Sequence, residues 1–155
     1  SENRLVPDII RSIKNKKRLK IRNPNHIRPW QHVIDPLIGY LILAKKQHQK
    51  KINSENDFAW NFGPQKNNFK KVLDVVKYIK KFENFNFSYI SKRNFHETTV
   101  LKLNSRKSEK KLNWICKWNL SDALKQTIEW NRSIRQGVSP EKKCVQQFLM
   151  YINNK

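Results

Sequence analysis

Glycine is nearly absent: three residues in 155, at Gly39, Gly63 and Gly137. That excludes a Gly-rich phosphate turn of the G-x-x-G-x-x-G kind, because such a turn needs several residues without a Cβ within one short stretch. Acidic residues are also scarce, 12 against 33 Lys and Arg, so the chain carries a formal net charge of +21. Cys116 and Cys144 are the two cysteines, far apart and without metal-ligand spacing, which reads as ordinary reduced thiols of an intracellular chain. No apolar run is long enough to span a bilayer and no signal-peptide pattern is present, so no membrane partner is expected. The chain starts with Ser-Glu-Asn rather than Met, and the expectation is that its true start is missing.

The apolar share, 37%, is low for a self-contained domain of this size and suggests a modest core or one completed by something absent. Aromatics at 11% and several periodic apolar segments argue against global disorder. A charge of +21 suits a polyanion, since lysines release counterions from nucleic acid. The lysines are spread along the chain, however, together with abundant Asn. That pattern fits a compositional drift better than a selected patch, and nucleic acid is read as an unlikely partner.

Periodicity predicts mixed α/β architecture with five or six helices and several short strands. Leu5, Ile9 and Ile13 mark a first helix, running into the basic stretch Lys14–Lys20. Lys20–Arg22 and Ile27–Val33 read as two extended segments meeting across an Asn23-Pro24-Asn25 turn. Alternation would put Arg28, Trp30 and His32 on one face, a guanidinium, an indole and an imidazole together. Leu37, Tyr40, Leu41 and Ala44 mark a second helix, with Asp35 as its cap and Pro36 in its first turn, and a polar loop is read over Lys45–Asn56. Phe58–Phe62 reads as a buried strand stopped by Gly63-Pro64. Val72, Val75, Val76 and Ile79 give a third helix. Phe85–Ile90 and Thr99–Leu103 alternate like strands, and Ser105 suits the start of a short helix. Leu120, Leu124 and Ile128 predict a helix capped by Asn119 or Ser121, and Val145, Phe148, Leu149 and Ile152 share a face of the last one.

The run IRNPNHIRPWQHVIDPLIGYLILA, together with NRLVPDIIR, AWNFGP, HETTVLKLNSRKSEKKLNW and WNLSDALKQTIEW in that order, resembles the C-terminal half of the extended short-chain dehydrogenase/reductases that modify nucleotide sugars. Within them it is most similar to CDP-glucose 4,6-dehydratases. The resemblance covers nearly the whole chain. It departs from pattern at Asn113, where relatives carry Gly before the Trp.

The resemblance implies an α/β chain, a mostly helical substrate-binding lobe with several short strands, lacking most of the doubly wound Rossmann sheet. The N-terminal NAD-binding half would be absent from residues 1–155, and Asn61's strand would have joined its parallel sheet. Implied for the full-length protein are a cytoplasmic NAD-dependent lyase, commonly a homodimer, with CDP-glucose as substrate and CDP-4-keto-6-deoxyglucose as product, serving deoxysugar and polysaccharide biosynthesis. In such enzymes the cofactor takes a hydride from the sugar and returns it after water leaves.

The implied substrate-binding residues are Arg4 and Leu5 near the nucleotide phosphates, Ile21 and Arg22 flanking the base, and Arg28 on the diphosphate. Asn61 would lie near the nucleotide and His96 by phosphate or ribose. Arg28 stands out on chemistry as well, because a guanidinium offers a planar fork to a pyrophosphate in a way Lys does not. No catalytic residue and no metal ligand is assigned. No usable Tyr-x-x-x-Lys pair is read at Tyr40, Tyr78, Tyr89 or Tyr151, and Trp114, Trp118 and Trp130 read as packing residues. Alone, the chain is expected to be inactive and lean in stability. Another epimerase or reductase of the same superfamily, a basic nucleic-acid-binding module, and a degenerate scaffold are the alternatives.

Overall fold

Leu5, Ile9 and Ile13 do lie along one side of a helix in the computed structural model, and Ile9 is fully buried there. The structure describes residues 4–52, 59–90 and 98–153. Among these, six helices and four three-residue strands follow one another. They are α1 (Leu5–Asn15), β1 (Leu19–Ile21), β2 (Ile27–Pro29), α2 (Ile34–His48), β3 (Phe69–Lys71), α3 (Val72–Lys80), β4 (Phe87–Tyr89), α4 (Arg106–Leu112), α5 (Leu120–Arg135) and α6 (Pro140–Asn153). Helix dominates and the strands are short, as the resemblance implied.

The chain divides into two units, Ser1–Arg28 with Lys70–Leu101, and Pro29–Phe69 with Lys102–Lys155. In the first, α1 ends where Lys16 adopts a left-handed conformation and the Lys17 N–H reaches back to the Ser12 carbonyl at 3.1 Å. The chain then enters β1, which pairs in parallel with β4: Leu19 opposite Phe87, Ile21 opposite Tyr89. Ile9, Leu19, Ile21, Val75, Val76, Ile79 and Phe85 form the buried apolar set of this unit.

β1 and β2 therefore do not form the expected hairpin. The Asn23–Asn25 turn exists, with the His26 N–H on the Asn23 carbonyl at 3.2 Å, but β1 pairs with β4 while β2 pairs with β3. Three-residue strands contribute too little cross-strand contact to fix a local partner, so long-range packing decides.

The second unit is built around Phe62, Leu112, Trp114 and Cys116, all buried, with Ile38, Ile42, Leu43, Ile52 and Trp60 packed against them. Gly39 is required by this arrangement: a Cβ there would lie 2.2 Å from the Phe62 ring. The segment before Gly63 is not a strand. Phe62 is buried as expected, but residues 59–65 run without ladder pairing, and Phe58 lies outside the described residues. α2 continues to His48, consuming the first turn of what reads as a loop. The Asn119 side chain caps α5 by accepting from the Asp122 N–H at 2.9 Å.

Two apolar stripes point outward. On α2, Leu37 and Leu41 are 49% and 64% exposed, with Tyr40 beside them. On α6, Val145, Phe148, Leu149 and Ile152 all face solvent, and the buried positions are Gln147 and Tyr151. The face of α6 that its apolar residues define is its outer one.

Candidate functional site

Arg28 occupies the centre of β2, half-buried, and its fork is held on three sides. Nη1 donates to the Ile27 carbonyl at 3.0 Å and to the Thr98 carbonyl at 2.8 Å, while Nη2 meets the His26 ring nitrogen at 3.1 Å. The guanidinium is thus oriented by its own unit. An arginine pre-set in this way presents its remaining donors without losing further rotamer freedom, which favours a bidentate anion.

The other expected residues of this unit fall into different settings. Arg4 is the exposed N-cap residue of α1, its carbonyl accepting from the Asp8 N–H at 2.9 Å, and Leu5 opens the helix half-buried. Ile21 is 2% exposed, so its side chain belongs to the core and only its backbone is presented at the strand end. Arg22, half-buried, lines a concavity of about 420 Å³ with Arg11, Lys17, Arg18, Lys20 and Ile90.

In the second unit Asn61 is exposed, and its carbonyl accepts the Ser108 hydroxyl at 2.6 Å. The competing account of a buried Asn closing a strand end does not hold, because no strand forms there. Just beyond it a cavity of about 470 Å³ is lined by Gly63, Gln65, Lys66, Asn67, Glu109 and Ile115, among others. His96 lies outside the described residues.

The alternating face expected from Arg28 to His32 is not formed, because β2 stops at Pro29, which has no N–H for a ladder. His32 is buried and meets the Trp118 ring edge-on at 4.7 Å; burial lowers its pKa to about 4. It is a packing residue, as the sequence reading has it.

Sequence reasoning missed the polar centre of this unit. Asp35, expected to cap α2, is fully buried and makes no cap; Val33 precedes the helix instead. The Asp35 Oδ1 accepts the Lys117 N–H at 2.8 Å and the Tyr151 hydroxyl at 2.7 Å, and its backbone carbonyl accepts the Trp114 indole N–H at 3.0 Å. Burial and then Asp35 push the Tyr151 hydroxyl above its ordinary pKa, and burial pushes the Cys116 thiol up to about 12. Tyr151 has Lys155 at the fourth following position, but its hydroxyl is committed to Asp35 and Lys155 lies outside the described residues.

Among the described residues no group of three His, Cys, Asp or Glu is arranged to hold a metal. The three glycines have other settings: Gly39 and Gly63 allow close packing and Gly137 turns the chain after α5 at φ +87°. None opens a helix behind a strand, so the residues present do not fit a dinucleotide cradle and no step is derived through NAD.

No family model matches the chain. A curated CDP-glucose 4,6-dehydratase from Salmonella typhimurium is 33% identical over 139 residues, covering 88% of this chain and 38% of that enzyme. Among solved structures, UDP-glucose-4-epimerase from Stenotrophomonas maltophila matches with a TM-score of 0.69 at 15% identity, over 89% of this chain and 42% of that one. The UDP-glucuronic acid 4-epimerase from Bacillus cereus, in complex with NAD, matches with a TM-score of 0.65 at 15% identity, over 85% and 39%. dTDP-glucose 4,6-dehydratase from Bacillus anthracis, also with NAD, gives 0.64 at 18% identity, over 84% and 39%. The chain spans about two fifths of the length of these relatives. The resemblance carried by the five motifs is thereby supported from sequence and fold together: this chain is a relative, over most of its own length, of CDP-glucose 4,6-dehydratase and shares its fold with NAD-dependent nucleotide-sugar epimerases and dehydratases.

Proposed function

We propose that the chain is the substrate-binding part of a CDP-glucose 4,6-dehydratase, an NAD-dependent lyase that forms CDP-4-keto-6-deoxyglucose in the cytoplasm and works as a homodimer. The NAD-binding Rossmann half and the catalytic residues belong, on this reading, to the portion of such an enzyme that this chain does not span. The chain alone is then inactive. The observation that carries the reading is the 33% identity to CDP-glucose 4,6-dehydratase, which runs through 88% of the chain.

Arg28 is the residue assigned to the substrate diphosphate. Its support is chemical: a planar cation whose fork is already oriented by Ile27, Thr98 and His26 suits two phosphate oxygens at once. Arg4, Leu5, Ile21, Arg22, Asn61 and His96 complete the proposed nucleotide-binding set, with Ile21 acting through its backbone.

Calorimetric titration with CDP and CDP-glucose, beside UDP, tests this. Selective CDP binding that Arg28→Ala abolishes and Arg28→Lys restores only partly is the expected result. Equal binding of CDP and UDP would favour a second reading, an epimerase or reductase of the same superfamily. Two of the similar folds are UDP-sugar epimerases, so the fold itself does not separate the reactions.

A further inference from the structure

Residues 11–22 hold seven Lys or Arg side chains and no Asp or Glu. The sequence reading set nucleic acid aside because cations are spread along the chain; the first unit gathers this particular run along one side. Two concavities adjoin there, sharing Ser12, Lys17 and Arg18. One, of about 520 Å³, adds Lys16, Asn84 and Asn86; the other, of about 420 Å³, adds Arg11, Lys20 and Ile90. The acidic residue lining them, Asp8, is ion-paired with Arg11.

The parallel pairing of β1 with β4 sets the extent of this surface. From Asn84 to Ile90 it follows about 20 Å of extended chain, far more than one phosphate group needs. Lys16, Lys17 and Arg18 sit where α1 ends, and a helix C-terminus favours cations. Tyr89, next to Ile90, is 57% exposed.

We propose that this groove binds the phosphodiester backbone of single-stranded nucleic acid, a function separate from nucleotide-sugar binding and not resting on it. A basic groove that tracks a backbone, with an exposed aromatic ring for a base to stack on, is the general form of such sites. An anionic membrane fits less well. A basic helix that lies in a lipid surface needs its apolar face free, whereas α1 turns Ile9 into the core of its own unit.

The test is fluorescence anisotropy of the whole chain with a labelled 12-nucleotide oligouridine at 50 and 200 mM salt. With about five cations on phosphates, affinity should fall about 100-fold across that range. Neutralising the exposed trio Lys17→Gln, Arg18→Gln and Lys20→Gln should lower the slope of log affinity against log salt by about 2. The trio Lys45→Gln, Lys110→Gln and Lys142→Gln, exposed in the other unit and equal in charge, should leave the slope unchanged. Tyr89→Ala should weaken oligouridine about 5- to 100-fold while leaving inorganic polyphosphate untouched.

Circular dichroism checks each variant, and Lys17→Glu alone replaces the first trio if that trio does not fold. The proposal is overturned by absent binding, by equal losses in both trios, by no effect of Tyr89→Ala, or by tighter binding to phosphatidylserine vesicles than to oligouridine.

Discussion

The Tyr151 hydroxyl donates to the Asp35 carboxylate at 2.7 Å, joining residues 116 positions apart inside one unit. It ties the last helix to the start of α2, and Lys117 and Trp114 add their own bonds to Asp35 from a third segment. The arrangement is a single buried carboxylate serving as the common acceptor of three segments.

Removing one donor leaves that acceptor under-satisfied. Tyr151→Phe, which keeps the ring on Trp118, should cost about 1–3 kcal/mol in urea unfolding. Asp35→Ala removes the acceptor for all its side-chain partners and should cost about 3–5 kcal/mol. If Tyr151→Phe left the urea midpoint unchanged, the bond would carry no stability.

His32 supplies a pH dependence of definite sign. Its folded pKa, about 4, lies below the ordinary 6.5 because burial disfavours the charged ring. The unfolded chain therefore binds the proton first, and the stability from keeping His32 neutral is complete above pH 6.5 and is lost as pH falls towards 4. The loss should approach about 1.4 kcal/mol per pH unit inside that window. Urea unfolding at pH 7.5, 6 and 5 measures it, and His32→Phe should flatten the profile over the same range.

The two thiols should differ in reactivity. Cys144 is exposed, whereas Cys116 is 3% exposed and burial pushes its pKa up to about 12. Since the thiolate is the reactive form, a disulfide reagent at pH 8 should modify one thiol quickly and the second only with denaturant. Fast modification of both in the native state would contradict the burial of Cys116.

Lys50 follows α2 at φ +53°, a left-handed conformation that costs a side chain with a Cβ about 1–2 kcal/mol. Lys50→Gly should therefore stabilise slightly, by about 0.5 kcal/mol once the entropy of glycine in the unfolded chain is offset. Asn113, at the same φ after α4, already has the residue type that tolerates it best after glycine, so Asn113→Gly should be close to neutral. Thermal melts of the two variants side by side test the contrast.

Helices were legible in the sequence wherever a 3.6-residue apolar period ran for three turns, as at Val72–Ile79 and Leu120–Ile128, and the Asn119 cap was legible from residue type alone. Partner choice among three-residue strands was not, because nothing local to Leu19–Ile21 points to Phe87–Tyr89. Asp35 looked like a cap because its chemistry suits one; its distant partners, Lys117 and Tyr151, have no local signal. For the proposed site, Arg28 stood out by motif and by residue chemistry. Its three backbone and ring partners could be seen only once Thr98 had been placed beside it.

The outward stripes of α2 and α6 have a colloidal consequence. Leu37, Leu41, Phe148 and Leu149 offer neighbouring molecules apolar contact, and a charge of +21 on every copy holds those neighbours apart. That repulsion reaches about 10 Å at 0.1 M salt and about 3 Å at 1 M. Salt added to loosen ionic contacts therefore removes the barrier between sticky faces, and the chain is kept dispersed by dilute electrolyte rather than by concentrated.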